Sequence, residues 1–101
     1  MKSLIRYKTK RGSANENQRL IENVYAELAD RGPDGVRYMT VRLEDGVTFI
    51  HIFMAAPDAG PNPMGRVAAF AEFQRELPER CEEGPVAQAF TVVGSHRFLS
   101  D

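Results

Sequence analysis

A histidine set among aromatic side chains on a short hairpin is the part of this sequence best suited to chemistry. In "VRYMTVRLEDGVTFIHIFMAA", Val36 to Ala56, two alternating runs flank Asp45-Gly46. An Asp-Gly pair in that setting is a strong hairpin signal, predicting a type I′ turn with positive φ at both positions. With those two residues as the loop, Glu44 faces Val47, and the register is fixed. The partners are Leu43 with Thr48, Arg42 with Phe49, Val41 with Ile50, Thr40 with His51, Met39 with Ile52 and Tyr38 with Phe53. One face then carries Tyr38, Thr40, Arg42, Phe49, His51 and Phe53, aromatic and polar together. The other carries Met39, Val41, Leu43, Ile50, Ile52 and Met54, which is aliphatic.

His51 titrates near neutral pH, so on an aromatic wall it suits a base or a hydrogen-bond donor toward a phenolic ligand, with Tyr38 as partner. The alternative is a core histidine bonded to Thr40 across the strands. Phe49 and Phe53 offer stacking walls, and Tyr25, Phe70 and Phe73 can cap Tyr38 and Phe53 from the helices. Such a wall suits planar ligands, and serves equally as plain core. Arg42, near the turn, is either solvated or placed to hold a ligand carboxylate. Cys81 stands beside Glu79, Glu82 and Glu83; negative neighbours raise a thiol pKa, so no nucleophile is expected there. Ser95 and Ser100 have no companion base, and His96 is peripheral. Two histidines without clustered carboxylates or thiolates give no metal-site spacing, and neither metal nor other cofactor is expected.

The elements that must position these residues are legible around the hairpin. Ser3–Lys10 alternates Ile5 and Tyr7 against Arg6 and Lys8, as a strand does. "SANE" from Ser13 has capping-box form with Glu16, and Leu20, Ile21, Val24, Tyr25 and Leu28 then make a helical stripe. Gly32 suits a left-handed helix end, and Pro33 cannot continue the helix. After the loop "APDAGPNP", Asn62 can cap a helix from Pro63 to Leu77 that turns Val67, Phe70, Phe73 and Leu77 inward, with Pro78 ending its regular part. "ERCEEGP" reads as a further turn of helix, and Ala87–Leu99 as the last strand, with Gly94 a bulge or close-approach point. The loop Ala56–Gly65 is either a plain connection or a lid, and the helix N-terminus after it is a candidate anion site. Lys2, Arg6, Lys8, Lys10 and Arg11 read as a solvated strand edge that discourages pairing.

The order strand, helix, strand, strand, helix, strand predicts an α+β ferredoxin-like βαββαβ sandwich in a single domain, residues 1–101. The apolar fraction of 43%, charged fraction of 27% and net charge of -1 are those of an ordinary globular chain without a strong field for nucleic acid or anionic membrane. The single cysteine allows no internal disulfide, no apolar run spans a bilayer, and the N-terminus has no signal-peptide core. A cytoplasmic location is therefore expected. In this architecture helices cover one sheet face only. Each large apolar side chain left wet on the other forgoes about 1.5–3 kcal/mol, so a second copy of the sheet is expected there, as a homodimer.

"FIHIFMAA" before the Pro-rich loop, and "GRVAAFAEFQRELPERCEEGPV" leading into "TVVGSHRF", resemble the antibiotic biosynthesis monooxygenase-type domains of the dimeric α/β-barrel superfamily. The resemblance spans most of the chain. It implies two ferredoxin-like sheets packed face to face, with a ligand cavity between each sheet and its helices. It also implies that the mixed hairpin face lines that cavity, Phe53 standing where relatives often carry tryptophan, and that the aliphatic face meets the partner. The chain departs from haem-degrading relatives: it has no tryptophan, no asparagine in the first strand, and no histidine in Pro63–Leu77. What remains is cofactor-independent oxygenation, or a related proton transfer, on a planar aromatic compound, with His51 as proton acceptor. A non-catalytic dimer binding a small aromatic or apolar metabolite fits the same residues. An RNA-binding sheet shares the element order, but "GVTFIHIF" lacks the leading basic residue and paired aromatics of that motif.

Overall fold

A computed structural model describes residues 1–99. Strands β1 (Lys2–Thr9), β2 (Val36–Arg42), β3 (Thr48–Ala55) and β4 (Cys81–Ala89) form one sheet in the order β2-β3-β1-β4, all neighbours antiparallel. Helix α1 (Ala14–Arg31) connects β1 to β2, while α2 (Ala68–Arg75) and the short α3 (Leu77–Arg80) connect β3 to β4. This is the ferredoxin-like α+β sandwich. The core lies between the helices and one sheet face, where Tyr7, Phe49 and Phe53 from the strands meet Leu20, Ile21 and Val24 of α1 and Phe73 of α2.

The hairpin pairs as the residue pattern requires, from Arg42 with Phe49 to Tyr38 with Phe53, and extends to Arg37 with Met54 and Val36 with Ala55. The turn itself differs. Only Gly46 there has positive φ, at 77°, and the Leu43 carbonyl accepts from the Gly46 N–H. Asp45 is committed elsewhere: its carboxylate accepts from the Val47 and Thr48 N–H groups and the Thr48 hydroxyl. Those bonds hold the Asp45 carboxyl down at about 2 and widen the loop to Glu44–Val47 without shifting the register.

Several boundaries move for physical reasons. A 3-10 turn, Arg11–Ser13, runs straight into α1, so Ser13 is itself near-helical (φ -105°, ψ -5°) and its side chain makes no cap bond. Gly32 ends α1 in extended conformation (φ -69°) rather than left-handed. Its lack of a side chain matters because a Cβ would sit 2.6 Å from the Leu28 carbonyl oxygen. Pro63–Arg66 forms turns, Val67 is extended, and α2 begins only at Ala68. The exposed first N–H groups of α2 are met by Glu27 of α1, which accepts from Ala68 and Ala69 at 3.1 and 2.8 Å. The predicted anion site at this N-terminus is therefore filled by the chain's own carboxylate, whose pKa those bonds lower.

The last strand is also displaced. "ERCEEGP" is not a helical turn: β4 starts at Cys81 and runs through Gly84 and Pro85. Proline is tolerated because β4 is an edge strand and its pairing with β1 shifts register between Arg6 and Lys8. β4 stops at Ala89, opposite Ser3; one further bond runs from the Phe90 N–H to the carbonyl of Lys2, where β1 begins, at 3.3 Å. Residues 90–99, Gly94 included, therefore lie beyond the strand, and Ser100 lies outside the described residues. β1 itself is interior, so its lysines and arginines do not mark an edge. Lys8 instead lies 4.0 Å from both Glu82 and Glu83 of β4.

The two hairpin faces separate as expected. Phe49, His51 and Phe53 are buried beneath the helices, while Met39, Val41, Ile50, Ile52 and Met54 stay half-buried on the uncovered face, with Leu4 of β1 beside Ile52. Phe49, stacked on Tyr7 at 5.6 Å, is among the most deeply buried side chains. Phe49→Ala is expected to lower unfolding free energy by about 3–5 kcal/mol in denaturant titrations; a loss below about 1 kcal/mol would contradict its place in the core.

Candidate active site

The residues of the mixed face converge on His51. β3 sits between β2 and β1, so His51 faces Thr40 on one side and Ile5 on the other. The alternation of the strands then places Tyr38 and Tyr7 at diagonal positions, and both reach the imidazole. Tyr7 OH lies 2.8 Å from His51 Nε2, and Tyr38 OH 2.6 Å from Nδ1. Thr40 Oγ1 is 3.2 Å from Nδ1 and 2.8 Å from Tyr25 OH. The bond to Thr40 exists, yet two tyrosines hold the ring more closely.

The chain continues inward from Tyr7. Asn17 of α1 donates its amide N–H to Tyr7 OH at 2.9 Å, and Arg80 of α3 donates from Nε to Asn17 Oδ1 at 3.0 Å. Asn17 is fully buried and Arg80 only 6% exposed. No buried side-chain nitrogen or oxygen among the described residues lacks a partner. Burial drives the electrostatics. It pulls the His51 pKa down to about 4, so the ring is neutral at physiological pH. It pushes the Tyr7 and Tyr38 hydroxyls far above their ordinary value, so both keep their protons.

Tyr38 is the member of this chain that reaches open space. Its ring stacks on Tyr25 at 5.3 Å and meets Phe53 and Phe70 edge-on at 5.9 and 6.3 Å. A cavity of about 210 Å³ is lined by Tyr38, Phe53, Phe70, Ile5, Ser3, Met1 and Pro61–Met64. A cleft of about 390 Å³ lies on the other side, lined by Tyr25, Leu28, Ala29, Gly32, Pro33, Val36 and Tyr38. Tyr38 thus stands between the two, and the Pro-rich loop walls the first.

The expected site residues divide accordingly. Tyr38, Phe53 and Phe70 come together on the cavity, and Tyr25 on the cleft. Phe49 and Phe73 pack behind it, Phe73 against His51 at 5.4 Å. His51 lines neither space, and both its ring nitrogens are engaged by tyrosine hydroxyls. Arg42 is remote from either space: it donates to the Gly46 carbonyl, Asn15 and Gln18, and lies over Phe49, tethering the turn to α1. Cys81 has a raised pKa as expected, but burial is the cause, with Arg80 and Lys10 opposing it. His96 lies in the exposed 91–99 segment. Phe49 and Phe53 are buried under helices, so they are not the open stacking platform of an RNA-binding sheet. Among the described residues no three His, Cys, Asp or Glu side chains gather to hold a metal ion, and no helix is long and apolar enough to cross a membrane.

Tyr7, Asn17 and Arg80 escaped the sequence reading as site residues. Asn17 had a signal, a polar residue in register with Leu20, Ile21 and Val24 on the buried stripe of α1. Arg80 had none.

No family model matches the chain, and no curated protein matches it. Solved structures do. A proposed antibiotic biosynthesis monooxygenase of Caulobacter crescentus superimposes with a TM-score of 0.71 at 18% identity, over 92% of this chain and 89% of that one. This chain has the fold of the antibiotic biosynthesis monooxygenase-type domains. A proposed member from Bacteroides thetaiotaomicron gives 0.73 at 12% identity, over 92% and 89% of the two chains. A variant of SnoaB, a cofactor-independent oxygenase of Streptomyces nogalater, gives 0.67 at 18% identity over 93% of each chain.

In this antibiotic biosynthesis monooxygenase-type fold the buried histidine makes a testable contribution to stability. A neutral His51 in the folded state and an ordinary one in the unfolded state mean that unfolding takes up a proton between pH 6.5 and about 4. Stability is complete above that window and declines as pH falls through it, by on the order of 3 kcal/mol. The His51→Gln variant should be less stable at pH 7 and show a flatter decline in thermal melts from pH 7 to 4. An unchanged slope would mean that His51 is not held neutral.

Proposed function

We propose that the protein is a small homodimeric enzyme, a cofactor-independent monooxygenase or a related enzyme, that acts on a planar aromatic metabolite bound against Tyr38. The observation that carries this reading is the cavity itself: an aromatic wall that includes Tyr38, whose hydroxyl is held by a buried neutral histidine. The fold neighbours named as monooxygenases, and SnoaB as a cofactor-independent oxygenase, support it. With a phenol the substrate supplies the electrons. One atom of O2 becomes a ring carbonyl in place of a C–H bond, the phenol oxygen becomes the second carbonyl, and the other oxygen atom leaves as water. Tyr38 bonds the substrate oxygen, Phe53 and Phe70 hold the ring, and His51 acts through Tyr38 rather than on the substrate. The reducing cytoplasm suits the single Cys81.

The second reading is a non-catalytic metabolite-binding dimer. The full engagement of both His51 nitrogens favours it, since no free base then faces the cavity.

The uncovered sheet face supports the homodimer. Leu4, Met39, Ile50, Ile52 and Met54 are only half-buried there, and Val92, Val93, Phe98 and Leu99 stand exposed in the segment after β4. A two-fold copy lets one apolar patch cover itself.

Light scattering at low micromolar concentration should give a dimer, and Ile52→Arg should shift it to monomer. A wild-type monomer would contradict the assembly. Planar phenols and hydroquinones should raise the melting temperature under either reading, whereas oxygen uptake with turnover belongs to the enzyme alone. Tyr38→Phe should lower that turnover about a hundredfold; unchanged turnover would remove Tyr38 from the mechanism.

A further inference from the structure

The hydrogen-bond chain behind Tyr38 has a direction, and Arg80 sets it. Arg80 is buried, and among the described residues no carboxylate pairs with it. It donates to Asn17 Oδ1 at 3.0 Å and to the Phe73 carbonyl at 2.6 Å, and its guanidinium lies 5.4 Å from the centre of the Phe73 ring. A guanidinium has donors only. The oxygen of Asn17 must therefore face Arg80, and its NH2 must face Tyr7, 2.9 Å away. An amide NH2 also has donors only, so the Tyr7 oxygen accepts and its single proton goes to His51 Nε2 at 2.8 Å. In a neutral imidazole an accepting Nε2 places the ring proton on Nδ1. Nδ1 then donates to Tyr38 OH at 2.6 Å, with Thr40 as a weaker second acceptor at 3.2 Å. The reverse direction would leave the buried Tyr7 proton facing two donors, with the desolvation cost of an unmade bond.

We infer that Arg80 and Asn17 polarise this chain so that Tyr38 offers the cavity a hydrogen-bond donor, and that the cavity thereby selects planar ligands bearing an anionic or carbonyl oxygen, phenolate over phenol. The ligand half of this inference rests on the pocket reading above; the direction of the chain does not. Every bond points toward Tyr38, and the buried positive charge of Arg80 stands at the far end, so the chain favours negative charge at the cavity. Arg80 and Asn17 touch no ligand and are positioning residues. Tyr38 stabilises a substrate anion instead of removing a proton, which replaces the proton-acceptor role expected for His51.

The test has two arms. In a His96→Gln background labelled with 15N-histidine, long-range 1H–15N spectra of the ligand-free protein at pH 7 report which ring nitrogen of His51 carries the proton. The wild-type chain should show Nδ1–H. Asn17→Asp keeps the partner of Arg80 but now accepts from Tyr7, so it should reverse the chain and show Nε2–H. A predominantly Nε2–H ring in the wild-type chain would overturn the inference. In the second arm, 7-hydroxycoumarin reports by absorbance whether it is bound as phenol or phenolate. Its phenolate should bind about tenfold more tightly than its phenol, a downward shift of one pKa unit, and Asn17→Asp should abolish that preference. Binding with an unshifted pKa would overturn the selectivity while leaving the pocket. No binding alongside an Nδ1–H ring would overturn the pocket reading and the selectivity together, and leave the chain direction standing. Should Asn17→Asp fail to fold, the wild-type ring and the wild-type probe shift still decide the matter.

Discussion

A neutral histidine buried between two tyrosines is the interaction around which this structure is organised. Imidazole in a dry environment is tolerable only if it is uncharged and both nitrogens are satisfied. Here Tyr7 and Tyr38 satisfy them from the strands on either side. That requirement reaches across the fold. It calls for Asn17 on the buried stripe of α1 to meet Tyr7, and for Arg80, delivered by α3 at the entry to β4, to meet Asn17. One helix face, three strands and a short connecting helix are thereby tied to a single side chain. The cost of leaving any of these buried groups unpaired makes the network all-or-none in character.

The same arrangement leaves one group at the cavity. Tyr38 is braced on four sides by Tyr25, Phe53, Phe70 and His51, so its ring has little freedom and its hydroxyl a fixed position. Pre-set polar contacts in an apolar cavity favour recognition, because little ordering remains when a ligand arrives. The opposite sheet face has the contrary character, aliphatic and uncovered, with β1 contributing Arg6 opposite Ile50. On the function proposed above, the two faces divide the work of one sheet between a site and an interface.

Much of this was legible in the sequence. The Asp-Gly turn fixed the pairing from Tyr38–Phe53 to Arg42–Phe49, and alternation sorted the two faces, because a strand has no other way to place its side chains. What local pattern could not supply was partner length and long-range company. β4 ends at Ala89, level with the start of β1, although "TVV" beyond it reads as strand. Gly32 proved to be a close-approach glycine, and the α2 N-terminus took Glu27 from α1. Arg42, read as either solvated or a ligand clamp, is exposed and serves the turn. Tyr7 and Arg80 join the site only through contacts spanning 44 and 63 residues, which no window of sequence contains.

Among the described residues no hydrogen bond joins Tyr7 and Tyr38 directly, so any communication between them runs through the ring of His51. A double-mutant cycle with Tyr7→Phe, Tyr38→Phe and the double variant, read by denaturant unfolding at pH 7, measures that coupling. Residues in one hydrogen-bond network should show an interaction energy of about 0.5 kcal/mol or more. Strictly additive losses would mean that His51 does not bind the two tyrosines into one unit, and would contradict the account.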